Sequence, residues 1–202
     1  MKEYNTTCLM ERTITSRFYI YAGSLAFPFH RYWNSAIGDH FYTLNPTEIG
    51  TTTPGQIGEH GYTSEGVQCK IFARPVAGTV RLYRYWLAGN RGDHFYTLNQ
   101  SEIGTTTPGM TGNFGYVSEA DGFSSVPGII EGVAGYCYPG PVKGLAIEAI
   151  PLYRYYNGGS NDHFYTTNAE EIGTTVSGTV GKGGYTSEGI VCYVLPSNFA
   201  QC

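Results

Sequence analysis

The chain carries three copies of the pentapeptide Asp-His-Phe-Tyr-Thr, and each copy pairs an acid with an imidazole. Three interpretations of the pair are open. It is structural, because buried polar groups need hydrogen-bond partners. Alternatively, the aspartate lines a polar pocket with an arginine and an aromatic residue of its own repeat. In the third interpretation the three imidazoles converge on a common axis, as in a three-histidine zinc set. The pairs are Asp39-His40, Asp93-His94 and Asp162-His163.

An aromatic and basic run precedes each copy, and its residue types suit a saccharide. A flat aromatic ring offers a face to the C–H groups of a sugar, and asparagine, aspartate and arginine offer hydrogen bonds to its hydroxyls. The arginine is also open to a structural interpretation, in which it stacks on an aromatic ring and pairs with the aspartate of the motif. The candidate ligand-binding residues are Arg31, Trp33, Asn34, Asp39 and His40; Arg84, Trp86, Asn90, Asp93 and His94; and Arg154, Tyr156, Asn157, Asp162 and His163.

Motifs typical of enzymes are absent from the sequence. It has no Gly-x-Ser-x-Gly, His-Glu-x-x-His, P-loop or dinucleotide fingerprint. A catalytic site seldom occurs in triplicate, whereas repeated weak binding sites raise avidity. We therefore predict a protein without catalytic activity, cofactor or resident metal. A hydrolase would need residues outside the repeat, and the candidates are Asp121 with Glu119 and Glu131.

An internal repeat of this kind dictates the architecture. In every copy the glycine of a later Gly-Tyr-x-Ser-Glu segment follows the aspartate by 22 residues, as from Asp39 to Gly61. We predict one domain made of an N-terminal segment and three repeats. Its parts are 1–26, with a closing strand at 17–21; repeat 1, 27–80; repeat 2, 81–150, with a 12-residue insertion; and repeat 3, 151–202.

The strand pattern predicts an all-β fold. Each repeat is interpreted as four strands: the aromatic run, the pentapeptide, the Gly-Tyr-x-Ser segment and a final apolar run. Asn99 is predicted to cap one helical turn that Gly104 ends. Three such repeats favour a closed pseudo-threefold array, with a propeller-like ring of three blades as the first choice and a β-trefoil as the alternative.

Composition narrows the range of partners. The 202-residue chain has a net charge of −4 and 12 basic residues without a cluster, which argues against nucleic acid. No segment is long and apolar enough to insert into a membrane, and no signal peptide is visible. Five cysteines allow at most two bridges, and Cys69 and Cys192 are predicted to be buried free thiols. A bridge between Cys8 and Cys202 would close the ring.

Three segments of repeat 3 together resemble the HFYT tandem repeat of bacterial, fungal and animal proteins. They are Leu-Tyr-Arg-Tyr-Tyr-Asn, Asp-His-Phe-Tyr-Thr-Thr-Asn and Gly-Tyr-x-Ser-Glu-Gly, and the resemblance covers residues 27–202. It implies an extracellular, carbohydrate-associated module and supplies no catalytic residues. We accordingly expect a secreted, multivalent, lectin-like protein whose partners are glycans or glycoconjugates. A structural or protein-interaction module is the alternative.

Overall fold

The chain folds as an all-β protein. A computed structural model describes residues 26–119, 133–142 and 148–199, and its regular elements there are strands and short 3-10 turns. Each pentapeptide is a strand that pairs antiparallel with the aromatic run before it, so three hairpins recur along the chain. Their strands are β1 (Ala26–Asn34) with β2 (Asp39–Thr43), β4 (Val80–Leu87) with β5 (Asp93–Thr97), and β8 (Ile150–Asn157) with β9 (Asp162–Thr166).

The prediction of four strands per repeat is wrong for repeats 1 and 3. There the last two predicted strands form one, β3 (Thr63–Phe72) or β10 (Thr186–Val194). Where a turn was expected, β3 has a β-bulge. Gly66, with φ of 91°, pairs with Arg31, and Ser64 pairs with Tyr32. Glu65, which lies between them, has no partner residue on β1. In repeat 2 the insertion separates the same stretch into β6 (Val117–Ser118) and β7 (Val133–Cys137), and both pair with β4.

The strands of the described residues form two antiparallel sheets. The larger has seven strands in the order β2-β1-β3-β7-β4-β5, with β6 also against β4. The smaller has three strands in the order β10-β8-β9. Isolated bridges from Lys70 to Leu195 and from Tyr138 to Tyr193 join the two sheets. Residues of all three repeats therefore pack around a common core.

The predicted helical turn after each hairpin is confirmed as a short 3-10 turn. In repeat 2 it spans Gln100–Glu102, and the Asn99 side chain accepts a hydrogen bond from the Ser101 N–H at 3.2 Å. The Gly104 N–H closes the turn by donating to the Gln100 carbonyl at 2.8 Å. Asn45 and Asn168 cap the equivalent turns.

Three tyrosines of the pentapeptides, Tyr42, Tyr96 and Tyr165, lock the repeats together at the centre of the core. The Tyr96 hydroxyl donates to the Tyr42 carbonyl at 2.6 Å and accepts from the Tyr42 N–H at 2.9 Å. Tyr42 makes the same two bonds to the backbone of Tyr165, and Tyr165 makes them to Tyr96. The rings meet edge to face with centroids 5.3–5.6 Å apart. Each of these three hydroxyls thus satisfies one backbone N–H and one carbonyl of another repeat.

The cysteine prediction is half right. Cys69 is a buried free thiol, and burial raises its pKa. Cys192 is instead disulfide-bonded to Cys137, whose side chain lies in the same core cluster. The repeat alignment conceals this partner, because Cys137 stands two residues beyond the position that corresponds to Cys69. The predicted closing strand at 17–21, the insertion, Cys8 and Cys202 lie outside the described residues.

No helix in the described part of the chain has the length and apolar composition that crossing a membrane requires.

Candidate functional site

Each motif aspartate is fully buried and pairs with the histidine of another repeat. Asp39 accepts from the backbone N–H of His94 at 2.8 Å and from its Nδ1 at 2.7 Å, and the Tyr62 hydroxyl donates to the same carboxylate. An ionised carboxylate only accepts hydrogen bonds, so Nδ1 carries the proton. The arrangement recurs for Asp93 with His163 and for Asp162 with His40.

The carboxylates, and not the imidazoles, are the groups that converge. One oxygen from each of Asp39, Asp93 and Asp162 lies within 4.8 Å of the other two. Among the described residues this is the single candidate group of metal-ligating side chains, so the three-histidine arrangement is wrong. Each carboxylate already accepts three protein hydrogen bonds, which accounts for its burial without a ligand.

The charges of one such pair stabilise each other. Burial alone would raise the pKa of Asp39, but the charge of His94 and the hydrogen bonds from His94 and Tyr62 hold it below its usual value. Burial alone would likewise lower the pKa of His94, and attraction to Asp39 raises it instead. Both shifts therefore favour the charged forms of this pair, which spans two repeats.

The motif arginines also bridge repeats. Arg154 contacts Glu102 of repeat 2 through Nη2 at 3.0 Å, and its Nε lies 2.8 Å from Glu188 of its own repeat. Its guanidinium stacks over Phe95 at 4.9 Å. The stacked ion pair predicted from the sequence is present, but its carboxylates are glutamates and not the motif aspartates. Arg84 and Arg31 make the equivalent contacts.

The half-buried aromatic residue of each run covers a motif histidine. The Trp86 ring lies 4.5 Å from His94, and Gly92 leaves room for the indole, since a Cβ there would lie 2.1 Å from it. Trp33 covers His40 at 4.3 Å and Tyr156 covers His163 at 4.6 Å. Each of these aromatic rings thus covers one side of a motif imidazole.

The three asparagines are not equivalent, which corrects the predicted triplicate set. Asn34 and Asn157 are the last residues of β1 and β8, and their amides connect the hairpin to a later 3-10 turn of the same repeat: Asn34 Nδ2 donates to the His60 carbonyl at 2.8 Å. Leu87 occupies the corresponding position in repeat 2, opposite Asp93. Asn90 lies exposed at the hairpin tip. The aspartate, arginine and asparagine of one repeat therefore make their contacts in different parts of the molecule.

A cleft of about 790 Å³ lies between repeats 2 and 3 and is called here the inter-repeat cleft. This volume falls in the usual range of ligand sites. Of the predicted residues, the structure brings Arg154, Tyr156 and His163 together in it. Its other walls include Phe114, Tyr116, Ser101, Asn113, Asn161, Glu102 and Glu188. A cavity of about 190 Å³ shares Glu102, Arg154 and Glu188 with it.

Phe114 is the unusual residue of the cleft. The residue is 83% exposed, and its backbone has φ of 57°, in the left-handed region that bulky residues avoid. The equivalent residues of the other repeats are His60, with φ of 56°, and Gly183, with φ of 66°. The turn therefore requires a left-handed residue, and glycine meets that requirement without strain. Neither the turn nor the core accounts for a phenylalanine there.

A family model described as a domain of unknown function (DUF5648) matches residues 14–124. The chain belongs to the DUF5648 family. Searches among curated proteins and among solved structures found no significant match.

Sequence reasoning missed several residues on which this DUF5648 chain depends. The glutamates of both flanking segments pair with the arginines, and the tyrosine of each Gly-Tyr segment donates to a motif aspartate. These glutamates and tyrosines recur at constant distances from the motif aspartates, and that spacing is the sequence signal that could have indicated them. Glu119, considered as part of a hydrolase site, instead pairs with Arg84 at 3.1 Å. Asp121 and Glu131 lie outside the described residues.

Proposed function

We propose that this chain is a carbohydrate-binding, lectin-like protein without catalytic activity, and that its principal site is the inter-repeat cleft. The observation that carries the proposal is Phe114, a strained and exposed aromatic residue on the wall of that cleft. Strain of this kind costs of order 1–3 kcal/mol and persists where it serves a function. Phe114 and Tyr156 supply apolar ring faces for a sugar, and Asn113, Asn161 and Ser101 supply hydrogen-bonding groups for hydroxyls.

We further propose that the three repeats form a closed pseudo-threefold array, in which repeats 1 and 3 are three-stranded units in place of four-stranded blades. The cyclic pattern of contacts supports this: repeat 1 pairs with repeat 2, repeat 2 with repeat 3, and repeat 3 with repeat 1, through both aspartate–histidine and tyrosine bonds. In such an array the motif is scaffold, and the interfaces between repeats carry the ligand sites.

We expect the three interfaces between repeats to bind a sugar with different affinities. The interface between repeats 1 and 2 has Trp86 and His60 where the inter-repeat cleft has Tyr156 and Phe114. The interface between repeats 3 and 1 has Gly183 at the Phe114 position. We expect the affinity of the three sites to follow the size of the ring at this position.

A glycan array followed by one substitution tests the proposal. Phe114→Gly should abolish binding of the strongest array hit, because it removes one ring face. It should change the free energy of unfolding by less than about 1 kcal/mol, because relief of strain offsets the greater freedom of the unfolded chain. His60→Gly is the matched variant at another interface and should have a smaller effect on binding. The exposed Val176, outside the cleft, provides the control Val176→Ser.

Two results would contradict the proposal. One is full binding by Phe114→Gly. The other is a blank array for a protein whose unfolding transition shows that it is folded, which would leave the structural or protein-interaction module as the better account. That alternative is supported by the use of the motif aspartates and histidines in buried hydrogen bonds between repeats, and of the motif arginines in ion pairs between repeats.

We also propose that the protein is extracellular. The buried disulfide bond between Cys137 and Cys192 supports this, because such bonds form and persist in oxidising compartments. Mass spectrometry of alkylated protein from the culture medium and from cell lysate would test it. An oxidised pair in secreted protein is expected, and a fully reduced protein confined to the lysate would contradict it.

A further inference from the structure

The charged groups of the inter-repeat cleft are unequally available to a ligand. The Glu102 and Glu188 side chains are 33% and 31% exposed, whereas that of Arg154, which lies between them, is 14% exposed. Attraction and hydrogen bonding from Arg154 and Thr97 hold the pKa of Glu102 below its usual value against the effect of burial. The cleft therefore exposes more negative than positive charge.

The basic side chains of the cleft already have partners. Arg154 uses Nη1 and Nη2 on Glu102 and Nε on Glu188, and its guanidinium stacks on Phe95. His163 donates through Nδ1 to Asp93, and its Nε2 lies 3.6 Å from Glu188. Among the residues lining the cleft Arg154 is the permanently charged cation, so an anionic ligand would have to displace its existing ion pairs.

The inter-repeat cleft retains a carboxylate oxygen that can accept hydrogen bonds from a positively charged group. The contacts of Glu188 with Arg154 and His163 use Oε2, and Oε1 makes no contact with a protein donor within the described part of the chain. Phe114 and Tyr156 lie on the walls of the same cleft. An aromatic face attracts an ammonium group, more strongly where water is partly excluded. A carboxylate oxygen without a protein donor, in a cleft that also has aromatic walls, can thus accept hydrogen bonds from an ammonium group.

We propose that the inter-repeat cleft selects amino sugars, with a free ammonium group, over N-acetylated, neutral and acidic sugars. This inference rests on the proposed function and names the ligand class for the same site. Glu188 is the residue that determines the specificity, through Oε1. The rings of Phe114 and Tyr156 contribute the apolar contact that any sugar would use.

Calorimetric titration with four oligosaccharides of equal length tests the inference: a glucosamine, an N-acetylglucosamine, a glucose and a galacturonate tetramer. At pH 6 we expect the glucosamine tetramer to bind roughly tenfold more tightly than its N-acetylated counterpart, and the galacturonate tetramer not to bind. In Glu188→Gln, which retains an acceptor oxygen for Arg154, the preference should fall to about threefold or less. Glu148→Gln removes an exposed charge outside the cleft and should leave the preference unchanged.

The failures of the two proposals are distinguishable. If none of the tetramers and no array glycan binds, the proposed function fails and this inference fails with it. If the N-acetylated, neutral or acidic tetramer binds as tightly as the glucosamine tetramer, the inference is overturned while carbohydrate binding stands. An unchanged preference in Glu188→Gln would also overturn it.

Discussion

Removal of one hydroxyl from the central tyrosines should destabilise the whole protein. In Tyr96→Phe the ring keeps its packing, but the Tyr42 N–H and carbonyl lose their partner. Both groups are buried, and an unsatisfied buried polar group costs about 1–3 kcal/mol. We therefore expect the free energy of unfolding to fall by about 2–6 kcal/mol, a large share of the roughly 5–15 kcal/mol typical of a domain.

Urea denaturation followed by tryptophan fluorescence is a suitable assay, with Tyr85→Phe as the matched control. The Tyr85 hydroxyl makes a single bond, to the partly buried Thr105 carbonyl at 2.8 Å, and its loss should cost about 1 kcal/mol. Tyr42→Phe and Tyr165→Phe should each cost as much as Tyr96→Phe, because each hydroxyl makes the same two bonds. A cost for Tyr96→Phe no larger than that for Tyr85→Phe would refute the reasoning.

Two further predictions concern pH and the disulfide bond. The folded-state pKa of Asp39 is depressed, so its contribution is present above pH of about 4 and is lost as pH falls through the folded value. The folded-state pKa of His94 is raised, so its contribution is complete below pH of about 6.5 and is lost as pH rises through the folded value. The free energy of unfolding measured against pH should peak between about 4 and 6.5, and a flat profile would count against the ion pair. Cys192→Ser should cost about 4 kcal/mol, because the bond closes a loop across 55 residues, and a loss below about 1 kcal/mol would contradict this.

The local structure could be predicted from the sequence because it depends on neighbouring residues. The hairpins follow from alternating aromatic residues around short polar tips, and the 3-10 turns follow from the asparagine that caps them. The merged third strand could not be predicted, because a glycine suits a bulge as well as a turn. At Gly66 the pairing with β1 decides between them.

The partners of the motif residues could not be predicted, because they lie in other repeats. Asp39 and His94 stand 55 residues apart, and nothing in a repeat states which neighbour it packs against. The cleft could not be predicted either. Its most informative residue, Phe114, stands at a position where the three repeats differ, so the shared motif does not include it.

The most direct test of the central claim is a crystal structure of the protein with the oligosaccharide that gives the strongest array signal. We predict electron density for a sugar ring in the inter-repeat cleft, against Phe114 and Tyr156 and within hydrogen-bonding distance of Glu188. The motif aspartates should keep their bonds to the histidines of the neighbouring repeats. A sugar bound at a hairpin tip, or one that displaces an aspartate from its histidine, would contradict the assignment of the motif as scaffold and the cleft as site.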